Sequence, residues 1–160
     1  MTIRLLLALV LVAVVLGGFA WAWAAEPGAN QAQRDQLVKT MQAGNYKDAY
    51  DGLRKLALDP ADDPRQVGQD LGMATDCLQR LNRTEEIDDF REAVIKAHQK
   101  NWRLLWAAAQ NTMNVQHQGF IVAGKFQRGQ HRGGGRYVNS MQRDRIRALQ
   151  LMVEAIPLAQ

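Results

Sequence analysis

The chain has 160 residues, of which 47% are hydrophobic and 22% charged, a balance that builds about one packed domain and excludes a disordered polymer. One cysteine excludes an internal disulfide framework and any multi-cysteine zinc site. The net charge of +4 is too mild to point to nucleic acid, and no nucleic-acid partner is expected.

Arg4 followed by the uncharged run Leu5 to Ala25 has the layout of a secretory leader. Arg4 is the charged start, Leu5 to Leu16 the apolar stretch, and Gly17-Gly18 the break. Ala22-Trp23-Ala24 supplies small residues for cleavage after Ala24. Residues 1–24 are therefore read as a signal peptide and 25–160 as a helical domain, exported to the periplasm or secreted. The alternative is an uncleaved inner-membrane signal anchor, since about 20 apolar residues span a bilayer and Trp21 and Trp23 suit its interface. Only through that leader would the chain touch a membrane.

Beyond the leader, apolar spacing predicts helices almost throughout. Tyr46, Ala49, Tyr50, Leu53, Leu56 and Ala57 form one stripe. Val67, Leu71, Ala74, Leu78 and Leu81 form a second, and Ile87, Phe90, Val94 and Ala97 a third. Trp102, Leu105, Trp106, Ala109 and Met113 form a fourth, and Ile146, Leu149, Val153 and Ile156 the last. Asp63-Pro64, Thr84 before Glu85-Glu86, and Asn139 with Gln142 carry the signatures of helix starts.

The stretch from Val115 to Asn139 breaks this rhythm with Gly119, Gly124, Gly129 and Gly133 to Gly135. Phe120 to Ala123 and Arg136 to Val138 are β-prone, so an inserted short hairpin or long ordered loop is expected. Charge is concentrated here. Glu26 to Phe90 carries 8 basic and 13 acidic residues, whereas Arg91 to Gln160 carries 11 basic and 3 acidic. Lys125, Arg128, Arg132 and Arg136, spaced by 3, 4 and 4 residues among glycines, are expected on the surface of the insertion as a patch that docks an acidic protein partner or another domain. A solvated insertion that helps its neighbouring helices dock is the other reading.

No catalytic constellation emerges, and no enzymatic activity, cofactor or metal is expected. His98, His117 and His131 lack the spacing of ligands on one helix face. The pairs Asp62-Asp63, Glu85-Glu86 and Asp88-Asp89 fall in loops and at helix starts, where acids serve as caps. Cys77 lies beside an apolar stripe and reads as a small buried group. Asn82-Arg83-Thr84 matches a glycosylation sequon, with no sign of a host that uses it.

Two resemblances extend this reading. Gly44-Asn45-Tyr46-Lys47-Asp48-Ala49 followed by Leu53 to Pro60 resembles the tetratricopeptide repeat. That family uses a glycine for the tight turn, an alanine for close packing and a proline to end the unit. The match covers one unit of about 30 residues and is echoed at Leu81 to Glu86. The resemblance implies an all-α fold of stacked antiparallel helical hairpins; an irregular bundle with one repeat-like hairpin is the alternative. Asn45 to Ala49, Leu56 to Pro60, Asn101 to Leu105, His131 to Val138 and Arg143 to Met152 look like the amino-terminal helical segment of large exported bacterial alpha-2-macroglobulin-like proteins. Those proteins trap proteases, some with a thioester between a cysteine and a glutamine three residues later. Here Arg80 stands three residues after Cys77, so that thioester is not expected on this chain. The implied role is a non-catalytic scaffold or interaction module within a larger protease inhibitor. The alternative is a stand-alone periplasmic adaptor that binds a peptide or partner protein.

Overall fold

The computed structural model describes residues 30–160; the leader, its cleavage site and the alternative anchor lie outside them. Among the described residues there are six α-helices: α1 (Gln31–Gln42), α2 (Tyr46–Leu58), α3 (Val67–Arg80), α4 (Ile87–Ala97), α5 (Trp102–Met113) and α6 (Met141–Ala155). A three-stranded sheet lies between α5 and α6 in the chain, formed by β1 (Gln118–Val122), β2 (Lys125–Arg128) and β3 (Arg136–Asn139). The protein is thus mostly helical rather than all-α. Glycines and β-branched residues at 115–139 make a helix unfavourable there.

Helix α1 ends at a turn whose Gly44 has φ +84°, a left-handed conformation that glycine adopts without a Cβ clash. The chain then reverses into α2. On α2 the expected stripe is the inner face: Ala49, Tyr50, Leu53, Leu56 and Ala57 are buried. Val67, Leu71, Ala74 and Leu78 of α3 are buried with them, as are Ile87, Phe90 and Val94 of α4. Tyr50 and Phe90 meet edge to face at 5.8 Å, which joins α2 to α4. Cys77 is fully buried, and desolvation pushes its thiol pKa up, so it behaves as an unreactive apolar group.

Helix starts depart from expectation in detail. Asp63-Pro64 does not open α3; it forms a turn in which the Asp63 carboxylate accepts from the Arg65 amide at 3.0 Å, and the helix starts at Val67. Thr84 begins a single 3-10 turn that runs into α4. The clearest cap is Asn101, whose Oδ1 accepts from the amides of Arg103 and Leu104. Asn139 lies one residue before the α6 cap position and accepts from the Met141 amide at 2.9 Å.

The largest departure is the face that α6 turns inward. Its buried residues are Asp144, Ala148, Leu151 and Ala155, spaced 4, 3 and 4. The expected core stripe is exposed instead: Ile146 50%, Leu149 53%, Val153 65% and Ile156 62%. With 3.6 residues per turn the two sets lie on opposite sides of the helix. Small residues explain the inversion, because Ala148 and Ala155 let α6 approach α5, whose inner face also carries Ala108 and Ala109. On α5 the buried face likewise turns by about a residue, leaving Trp106 49% exposed.

Candidate functional site

The insertion is built on an antiparallel sheet of order β2-β1-β3. The β1–β2 connection is two residues long, Ala123 and Gly124, both at positive φ as in the hairpin turn that matches strand twist. The pairs Gly119–Arg128 and Gly119–Val138 set the register. Because side chains alternate across a strand, Gln127, Phe120 and Tyr137 form one row on one face, and Arg128 points from the other.

Of the four basic residues expected to form a surface patch, Lys125, Arg132 and Arg136 are exposed. Arg128 is not. Its side chain is 0% exposed, and every donor is engaged. Nε and Nη2 donate to Asp88, Nη2 also donates to Asp144 Oδ1 at 2.9 Å, and Nη1 donates to Asp144 Oδ2 at 2.9 Å and to the Gln116 carbonyl. The expectation of a splayed Arg128 is therefore corrected. Two aspartates, on α4 and α6, converge under the sheet, and a planar fork that satisfies both is more favourable buried than a solvated cation facing two buried carboxylates.

Around Arg128 the network continues. Arg143 donates to Asp144 at 2.8 Å and to Asp88, and its guanidinium lies 4.0 Å from the centre of the Phe126 ring. Arg91 donates to Asp88 at 2.6 Å, while its buried Nε has no partner. Burial alone would raise the Asp144 carboxyl, but hydrogen bonds from Arg128, His117, Ser140 and Arg143 outweigh it and hold the group well below the ordinary carboxylate range. Asp88 is also lowered: burial opposes ionisation, and the charges of Arg91, Arg128 and Arg143 overcome it.

Ser140, His117 and Asp144 meet here, and their geometry separates them from a hydrolytic triad. The Ser140 hydroxyl donates to Asp144 Oδ2 at 2.8 Å, and His117 Nδ1 lies 2.8 Å from the same oxygen. His117 Nε2 faces the Met113 carbonyl at 3.1 Å, so neither ring nitrogen addresses the hydroxyl as a base must. The three side chains instead tie the end of α5 and the start of α6 to Arg128. A second buried knot, Arg34 forked on Asp70 at 2.9 and 3.1 Å and paired with Asp62, fastens α1 to α3 and the loop before it. His98 is bonded to the Ala57 carbonyl at 3.1 Å. No group of three or more His, Cys, Asp or Glu suited to a metal ion occurs among the described residues.

Exposed among the described residues are the outer stripe of α6 with Arg145 beside it, the basic Lys125, Arg132 and Arg136, and the aromatic side chains of Trp106 and Tyr137. Spacing alone found the α6 stripe but not the side of the helix that packs. The signal for its exposure is the competing small-residue face, Ala148 and Ala155. No helix among the described residues is long and apolar enough to cross a membrane. No family model matches this chain, and no curated protein or solved structure matches it either.

Proposed function

We propose that this chain is a non-catalytic, exported helical interaction module, the amino-terminal part of a larger alpha-2-macroglobulin-like protease-trapping protein, and that the outer face of α6 docks against a following domain of that protein. The observation that carries the reading is the exposed line of Ile146, Leu149 and Val153 on a helix whose opposite face is packed, continued by Ile156 in the 3-10 turn that follows. Contiguous apolar surface of this kind marks a contact with another macromolecule. Arg145 on the same helix, with Lys125, Arg132 and Arg136 on the insertion, argues for a docking surface with an acidic margin.

The tetratricopeptide-like reading of the helices rests on the Gly44 turn, the buried Ala49 and the consecutive packing of α1 on α2 and α2 on α3. It is offered as a short array interrupted by the sheet.

The test is the mass of the natural product in the periplasmic fraction, detected with an antibody to residues 30–160. A polypeptide far larger than 18.0 kDa, with its amino terminus at Ala25, is the expected result. A monomer of 18.0 kDa or less with no bound protein would refute the module reading, and an intact Met1 in the membrane fraction would refute the export step.

A further inference from the structure

The face of the sheet opposite Arg128 carries a separate arrangement. Cross-strand register places Gln127 of β2, Phe120 of β1 and Tyr137 of β3 in a row. Tyr137 is 58% exposed and meets Phe120 edge to face at 5.8 Å. The His131 ring lies 6.1 Å from Phe120, inclined by 44°. The Gln127 end of this row opens into a cleft of about 640 Å³ lined in part by Gln79, Asn82, Gln116, Gln127 and Gln130. None of these five amide groups is hydrogen-bonded to another part of the protein among the described residues, and none is buried. The charged groups lining the cleft, Glu85 and Arg132, are of opposite sign.

We infer that this row and cleft bind a neutral glycan chain. A sugar hydroxyl both donates and accepts, and only side chains that do the same without charge match it; Asn and Gln amides do. The apolar C–H face of a pyranose needs an exposed aromatic surface in line with those amides, and Tyr137, braced by Phe120 two strands from Gln127 along the same row, supplies it to a chain of several sugars. An anionic ligand would want a surplus of cations in the cleft, and a peptide helix would want an apolar groove; the lining offers neither. Apart from Arg132, the site uses residues that the α6 docking surface does not, and its test varies none that they share, so it stands or falls separately from that reading.

Isothermal titration and saturation-transfer NMR of the full chain with neutral cello-, malto- and chito-oligosaccharides test it. At least one series should bind saturably, with a dissociation constant raised about tenfold or more by Tyr137→Ala and by Gln127→Ala. Tyr137→Phe, which keeps the ring, should stay within about twofold of the parent, and Lys125→Glu or a rise to high salt should change affinity little, because no ion pair is formed. The circular-dichroism melt of each variant identifies any that fails to fold; the two alanine sites lie on different strands, so either alone suffices. Absence of binding to every series at millimolar concentration overturns the inference. So does binding that survives both alanine variants, or binding that high salt abolishes.

Discussion

Arg128, its side chain fully buried, has two carboxylates and a carbonyl as partners. Removing it takes the buried cation from between Asp88 and Asp144, which then share only the half-exposed Arg143, so Arg128→Ala should cost about 3–5 kcal/mol, the range for breaking a buried ion pair. Arg132→Glu, at an exposed position, should shift stability by less than about 0.5 kcal/mol. Urea unfolding of the two variants checks the pair; equal effects would mean that Arg128 is solvated after all. The same residues set a pH dependence. Asp144 and Asp88 titrate below their ordinary value of 3.8 when folded. The unfolded chain therefore takes up protons first as pH falls, and stability drops with it. Their contribution should be complete above about pH 5 and fade below about pH 4. Asp144→Asn, which keeps the side-chain shape, should flatten that part of the urea-midpoint profile; an unchanged slope would show that Asp144 holds no depressed pKa. These roles were hidden in the sequence because charge spacing does not reveal what a distant strand or helix presents. Asp88 lies 40 residues from Arg128.

At the scale of elements, the reading of periodicity succeeds where one stripe dominates. α2 and α4 carry large apolar residues on one face only, and those faces are buried. It fails on α6, where a stripe of isoleucine, leucine and valine competes with one of alanine, leucine and aspartate. Size decides the first guess, but closeness of approach decides the packing. Ala148→Leu should therefore overpack the α5–α6 contact and cost about 1–3 kcal/mol, whereas Leu149→Ser should leave the melting temperature nearly unchanged. If Leu149→Ser is the more damaging, the observed face assignment of α6 is wrong. The insertion was legible as glycine-rich and as β-prone at Phe120 to Ala123 and Arg136 to Val138, where β1 and β3 form, yet the strand β2 at Lys125–Arg128 was not. Gly129 shows why: its φ is +85°, and an added Cβ would sit 1.9 Å from the Thr84 hydroxyl oxygen. That contact exists only once β2 and the turn at 84–86 meet. Gly129→Ala should loosen the sheet, read as faster hydrogen exchange of the β1 and β2 amides; unchanged exchange would contradict the close contact.

For the whole molecule, two buried charge knots and one apolar core hold the described residues together. Its open surfaces are the outer face of α6, Trp106 on α5 and the aromatic row of the sheet. Overall helical content and the identity of most core positions could be read in advance, because local pattern determines them. The side of α6 that faces solvent, the burial of Arg128 and the amide cleft depend on tertiary juxtaposition and could not. Docking of α6 requires that its outer face be covered in the natural product. Hydroxyl-radical footprinting of Leu149, Val153 and Ile156, with Leu151 as the buried reference, measures this directly in the natural product and in the isolated 160-residue chain. Oxidation of the three outer residues should be at least about tenfold slower in the natural product, as expected of surface removed from water in an interface. Equal oxidation rates in the two samples would contradict the docking of α6 and the module reading built on it.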